Sequence, residues 1–428
     1  MNASPRAGPR LTIWLTQTGE PLPLVPGARH YRAAMLAGVL AARGHDVTWW
    51  ASAFSHFRKA WTFPSDTTSW TDTGVRIRAL RGVGYTRNIS PRRLLDYRLV
   101  ARKFRDQAPH EPRPDVIVTA MPGYDMVGEA VRYGWAHDVP VMVDVRDQWP
   151  EIFADPLPPL LQPLGRAALW GETRIMRRGL AGARAIVSMS DALLDWAVGQ
   201  AGRERSVDDR VFYLGSHAMP SSAAVPSARL AKALDRAAGR LIITFAGTFG
   251  RVCSPLLLVE AARRMRGDNV HFILAGEGDH LPAVEKAAAG LDNVDLPGWL
   301  NESDLGVLLL RSSIGVSPAL SGSDRPFFPN KIFGYLAAGL PIVSAFPGEV
   351  QRVIEEAGVG CHYSGLDGLV EVLRRLVADG DTRARMSAAG RRLFSERFDA
   401  ACIYADYADH VEHVAAAGAA AGRARAGS

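Results

Sequence analysis

The stretch from Asp324 to Glu349, DRPFFPNKIFGYLAAGLPIVSAFPGE, constrains the fold more than any other part of the chain. Pro326 and Pro329 break any earlier helix. Asn330 is placed to cap a helix over Lys331–Ala338. Gly339 ends that helix in the left-handed conformation that glycine adopts at low cost. Pro341 then opens a short apolar run, Ile-Val-Ser-Ala, suited to a buried parallel strand. A polar loop feeding a helix N-terminus is where sheets of that kind hold anions.

Runs of the same kind recur along the chain, at Leu11–Leu15, Val47–Ala51, Asp115–Ala120, Val139–Val145, Ala185–Ser190, Leu241–Ala246 and Val270–Ala275. Helical segments separate most of them. The pattern predicts an α/β protein of two Rossmann-like, doubly wound domains. At 428 residues each half is large enough for its own core. The Pro- and Ser-containing stretch 219–240 reads as a linker between an N-terminal domain, 1–218, and a C-terminal domain, 241–395. Residues 396–414 read as a last helix. The Ala- and Gly-rich tail 415–428 is expected to lack structure.

The composition narrows the function. The net charge of +6 comes with only five lysines, so arginine and alanine usage explains it better than a nucleic-acid surface does. A mild positive excess suits phosphorylated small molecules or an anionic membrane surface. The basic stretch Arg87–Arg105 reads as a solvated helix face, with lipid head groups as the alternative. Phe54–Trp61 reads as a surface loop, with a part in an acceptor site as the alternative. Cys253, Cys361 and Cys402 have neither metal-ligand spacing nor a disulfide framework, and no apolar run is long enough to cross a membrane. The expected location is the cytoplasm, with peripheral contact at the inner membrane face.

Three loops carry candidate chemistry. The loop after Leu11–Leu15 contains Gly19 but lacks G-x-G-x-x-G spacing, which argues against a dehydrogenase. Val139–Val145 ends in Asp144-Val-Arg146-Asp147-Gln-Trp149-Pro150, at the strand end where open α/β sheets collect ligands. Asp144 and Arg146 also read as an ion pair closing the strand. Leu241–Ala246 ends in Gly247-Thr248-Phe249-Gly250-Arg251. Glycines let a backbone approach phosphate, and Arg251 can offer two donors to phosphate oxygens.

PNKIFGYLAAGLPIV resembles the donor-site segment of the large family of retaining glycosyltransferases with the GT-B fold, often called family 4. D-V-R-D-x-W-P and G-T-x-G-R resemble its bacterial cell-surface polysaccharide members, and the resemblance runs from Leu11 to about His410. It implies two domains facing a cleft, with the last helix returning to the first. Its donor-binding positions fall on Gly19, Gly247, Thr248, Gly250, Arg251, Gly276, Glu277, Gly278, Trp299, Asn330 and Lys331. Trp299 also reads as a core residue. Arg146, Asp147 and Trp149 fall on the acceptor side, and Arg251, Lys331 and Asp147 are the expected catalytic residues. The implied partners are a nucleotide sugar and a small-molecule or lipid-linked acceptor, with no nucleic acid, no metal and no further cofactor. This chain departs from the pattern at Gly334 and Pro326, where relatives carry carboxylates. It has Leu256 where many have lysine, and MPGY where many have a histidine. Alternative readings are an auxiliary homologue of weak activity and a nucleotide-sugar epimerase.

Overall fold

The computed structural model describes the chain except residues 1–8, 25–29, 89, 155–156, 159, 220–224, 251–252, 320–327 and 427–428, and the side chains of Ile152 and 421–426. It divides into two compact units, Met1–Tyr213 with Tyr404–Ser428, and Leu214–Ile403. Each is a Rossmann-like α/β layer structure, as the recurring apolar runs predict.

The first unit holds β1 (Thr12–Thr16), β2 (Asp46–Ser52), β3 (Phe54–Ser55), β4 (Ala60–Trp61), β5 (Thr67–Trp70), β6 (Arg76–Leu80), β7 (Val116–Ala120), β8 (Val141–Val145), β9 (Ala185–Ser188) and β10 (Arg210–Val211). Eight of them form one sheet in the order β10-β9-β8-β7-β1-β2-β6-β5. All neighbours are parallel except β5, which runs antiparallel to β6. Helices cover both faces, so β7 and β8 are buried at every residue. Trp14 and Trp50 pack edge to face at 5.4 Å, with Phe104 of the helix Pro91–Gln107 against both.

The second unit holds β11 (Leu241–Ala246), β12 (Val270–Ala275), β13 (Val294–Gly298), β14 (Ile314–Ser317), β15 (Ile342–Ser344) and β16 (Gly360–His362). Their order is β13-β12-β11-β14-β15-β16, all parallel. In both sheets the chain order reverses beside the opening strand. β1 lies between β2 and β7, and β11 between β12 and β14. Such reversals open a crevice at the carboxyl ends of the strands.

The short Ala-rich helix expected within 219–240 is Ala228–Arg236, and it packs Leu230 and Ala233 against Ile242, Ile273 and Val307 in the second unit's core. Several expectations are corrected. The tail was expected to be unstructured, yet the last helix runs from Ala400 to Ala426. Alanine has the highest helix propensity, which outweighs the low complexity of the sequence. Phe54–Trp61 forms the β3–β4 hairpin, with Phe54 buried. β14 escapes a pattern reading because it is four residues long and contains Gly315. Among the described residues, no helix is long and apolar enough to cross a membrane.

Candidate active site

In the second unit, two glycine loops lock together at the ends of β11 and β12. Gly247, Gly276 and Gly278 have φ of +153°, +153° and +145°, a region closed to most side chains. A Cβ on Gly276 would meet Phe249, and one on Gly278 would stand 2.5 Å from the Phe249 carbonyl oxygen. Gly247 N–H donates to Ala275 O (3.0 Å), Phe249 N–H to Glu277 O (2.8 Å) and Gly250 N–H to Cys253 O (3.1 Å). Phe249 is fully buried beneath the loop. These bonds leave Thr248, exposed at the tip, as the loop residue whose N–H has no protein partner among the described residues.

Lys331 is brought to this loop by its helix. The helix Lys331–Ala338 forms as the sequence predicts, and Gly339 closes it at φ +70°. Asn330 occupies the cap position but has helical backbone angles and makes no side-chain capping bond, which corrects that expectation. Buried Tyr335 fixes the helix instead. Its hydroxyl accepts from Ala246 N–H (3.4 Å) and donates to Val316 O (3.1 Å), and its ring fills the space a Cβ on Gly315 would need. One turn earlier, the Lys331 stem lies over Gly247. Nζ donates to Cys253 Sγ at 3.3 Å and sits 5.0 Å from the Phe245 ring centre. No carboxylate lies within ion-pair distance of it among the described residues.

The other donor-side candidates are distributed around this centre. Gly276 N–H donates to Gly298 O (2.9 Å), which places the Gly298–Trp299 turn beside the Gly276–Gly278 loop. Trp299 is 60% exposed and therefore not a core residue. Glu277 is exposed. Arg251 and Pro326 lie outside the described residues. A Cβ on Gly334 would have a single near neighbour, Leu309 Cδ1 at 3.5 Å.

In the first unit, a cavity of about 470 Å³ opens at the ends of β1, β7 and β8. It brings together Gly19, Arg146, Asp147 and Trp149, with Glu20, His56, Arg93 and Tyr97 beside them. Beneath it, Arg146 donates to Asp144 (2.9 Å) and to Glu20, and fully buried Arg32 binds Asp144 at 2.8 Å. Glu20 also accepts the Ala33 N–H at 2.9 Å. The Asp144–Arg146 ion pair is therefore present. Burial would push the Asp144 carboxyl up, but Arg32 and Arg146 reverse this and hold it below the usual range. Asp147 accepts from Gln148 N–H (2.9 Å) and Trp149 Nε1–H (3.2 Å).

Arg93 and Tyr97 were not legible as site residues in a helix read as a solvated face. Their i, i+4 spacing is the signal. Arg93 is 7% exposed, bonds the Tyr97 hydroxyl and lies 4.3 Å from the Trp149 ring centre. The other basic residues of the helix are largely engaged within the fold: Arg92 with the Val83 and Gly84 carbonyls, Arg98 with Glu172, Lys103 with Asp66.

A family model described as glycosyl transferase 4-like domain matches residues 27–208, and one described as glycosyl transferases group 1 matches 240–388; together they span more than half of the chain. No curated protein sequence matches. Among solved structures, sucrose-phosphate synthase from Thermosynechococcus elongatus is 16% identical, with a TM-score of 0.70 over 95% of this chain and 100% of that one. An α,α-trehalose-phosphate synthase (UDP-forming) from Burkholderia vietnamiensis is 13% identical, with a TM-score of 0.67 over 95% and 100%. HepE from Anabaena, in complex with UDP, is 15% identical, with a TM-score of 0.65 over 94% and 100%. With its two Rossmann-like domains and both family matches, the chain belongs to the glycosyltransferases of the GT-B fold.

Proposed function

We propose that the protein transfers a glycosyl group from a nucleoside-diphosphate sugar to an acceptor hydroxyl, with retention of configuration and without a metal ion. The observation that carries this reading is the Lys331 ammonium, held over the Gly247 loop with no carboxylate at ion-pair distance among the described residues. A departing diphosphate gathers negative charge, and a fixed cation in a shaped site stabilises that charge. Thr248 N–H and, from its place in the sequence, Arg251 add donors to the same group. Gly276, Glu277, Gly278 and Trp299 suit the nucleoside end, where an exposed indole offers a stacking face. Relatives that bind UDP, such as HepE, support a uridine nucleotide as the first donor to try.

The first unit's cavity would take the acceptor. Asp147 and Trp149 line it, and the ion-paired Arg146 supports its floor. No enzymic nucleophile is invoked: the acceptor oxygen attacks from the face the diphosphate leaves, and a phosphate oxygen takes its proton. The acceptor is a small molecule or a lipid-linked sugar, as in synthesis of bacterial surface polysaccharide. The free cysteines Cys253, Cys361 and Cys402 support a cytoplasmic setting.

The test is the first-formed anomer of the sugar released by slow donor hydrolysis, read by proton NMR before mutarotation. Retention gives the donor's own anomer. The opposite anomer overturns the mechanism.

A further inference from the structure

One wall of the first unit's cavity is built around the Arg93 guanidinium. Arg93 sits there with its guanidinium beside the stacked Tyr97 and Trp149 rings, 5.1 and 4.3 Å from their centres. Its Nε and a terminal nitrogen donate to the Tyr97 hydroxyl at 3.1 and 2.8 Å, and its other terminal nitrogen to Asn88 O at 2.7 Å. No carboxylate is within ion-pair distance of it among the described residues. The nearby Asp96 carboxylate instead accepts the Val83 and Gly84 N–H groups, both at 2.7 Å. Lys59, behind the wall, donates to the Asn88 side chain and to His56 Nδ1 at 3.3 Å.

Arginine and lysine have no acceptor lone pair, so these contacts fix the direction of each hydrogen bond they make. Tyr97 accepts from Arg93 and packs edge to face against Tyr85, ring centres 6.3 Å apart. The Tyr85 hydroxyl lies 2.7 Å from His56 Nδ1 and donates to it where Nδ1 is an acceptor. Lys59 approaches the same nitrogen and requires it to accept. With Nδ1 an acceptor from both sides, neutral His56 carries its proton on Nε2. Burial, then the Arg93 and Lys59 charges, push the imidazole down to about 4, so it is neutral near pH 7. The remaining ring nitrogen is a donor and not a base.

Elsewhere Asp147 adds a carboxylate to the lining beside an ion-paired cluster. Arg32 and Arg146 face Asp144 and Glu20, two cations against two carboxylates. Among the described residues, the lining cation with no carboxylate at ion-pair distance is Arg93, in the His56–Asn88–Arg93 wall.

We propose that this wall is the subsite for an anionic oxygen group on the acceptor, a carboxylate or a phosphate, with His56 presenting its Nε2–H and Arg93 its charge. The proposal rests on reading the cavity as the acceptor site. A sugar acid or a sugar phosphate is preferred there to a neutral sugar, because hydrogen bonds to a charged acceptor are stronger than those to a neutral one. Added salt weakens that preference.

The experiment uses the full chain labelled with ¹⁵N at histidine ring nitrogens and tryptophan indole, titrated with glucose, glucuronate and glucose 6-phosphate. Glucuronate and glucose 6-phosphate separate the carboxylate from the phosphate as the preferred group. The expected result is that at least one of them binds about tenfold or more tighter than glucose, the scale of one charge-assisted hydrogen bond. The bound sugar shifts the His56 Nε2 and Trp149 signals, and His56 shows the Nε2–H tautomer. His56→Phe keeps a ring and removes the donor; Lys59→Met keeps the stem and releases Nδ1 from the group that requires it to accept. Both variants should lose most of the preference at unchanged melting temperature. Equal binding of all three sugars in the wild type overturns the subsite and leaves the acceptor cavity standing. A His56→Phe variant that keeps the full preference, or an Nδ1–H tautomer in the wild type, overturns it likewise. If no sugar moves the Trp149 signal, the acceptor reading falls together with the subsite.

Discussion

A Cβ on Gly276 would stand 1.9 Å from the Gly247 carbonyl oxygen. The loops after β11 and β12 are thus pressed together backbone on backbone, and the Gly247 loop keeps its place under Lys331 only while position 276 carries no side chain. Gly276→Ala should cost about 1–3 kcal/mol, the scale of one strained backbone residue. Nucleotide affinity should fall with it. Chemical denaturation and calorimetry check both, and an alanine variant with wild-type stability and affinity would contradict the packing.

Gly334 faces the other way. Its nearest neighbour for a new Cβ is Leu309, at ordinary contact distance. Gly334→Ala should therefore stabilise the helix by about 0.5–1 kcal/mol and leave nucleotide affinity unchanged. Gly334→Glu tests whether the missing carboxylate is a lost donor contact. A gain in affinity and activity with common hexose donors would favour the auxiliary reading. The expected outcome is no gain.

Asp147 is predicted to act on the acceptor alone. Asp147→Asn keeps an oxygen for Gln148 N–H and removes the charge. Transfer should drop by roughly tenfold or more, the value of one hydrogen bond to a charged group, with nucleoside-diphosphate affinity held. A large loss of nucleotide affinity would move the residue to the donor site or to the fold.

The fold was legible because its strands are short buried runs bounded by glycine or polar loops, as at Leu241–Ala246 and Ile342–Ser344. The glycine loops were legible for the same reason: a backbone need shows as a residue type. The acceptor cavity was read only in part. Asp147 and Trp149 announce themselves at a strand end, whereas His56 of the β3–β4 hairpin, Tyr85 of the loop after β6 and the Arg93–Tyr97 pair of the helix Pro91–Gln107 meet only through tertiary packing. Arg93 looked like one more surface arginine, since charge patterning along a helix does not say which face is covered. Arg146 reads in the sequence both as an acceptor-side residue and as an ion pair with Asp144; the pair is present, and what the sequence does not show is that Glu20 joins it.

A pH effect follows from Asp125. Burial, then the charge of Glu172, push its carboxyl up to about 7, against the pull of Arg98, and its Oδ2 has no hydrogen-bond partner among the described residues. The folded state therefore holds a proton that the unfolded chain releases. Stability contributed by this group falls as pH rises from about 4 to 7. Asp125→Asn should flatten that slope and raise the melting temperature at pH 8. A variant with the wild-type slope would show that the carboxyl is ionised throughout.

The most direct test of the account is calorimetric titration of the wild type and Lys331→Met with a nucleoside diphosphate and with the matching nucleoside. Methionine keeps the stem over Gly247 and removes the charge. The account predicts that the wild type binds the diphosphate at least about tenfold tighter than the nucleoside, and that Lys331→Met loses most of that difference while unfolding at the same temperature. Undiminished diphosphate affinity in Lys331→Met, or no preference for the diphosphate in the wild type, would contradict it.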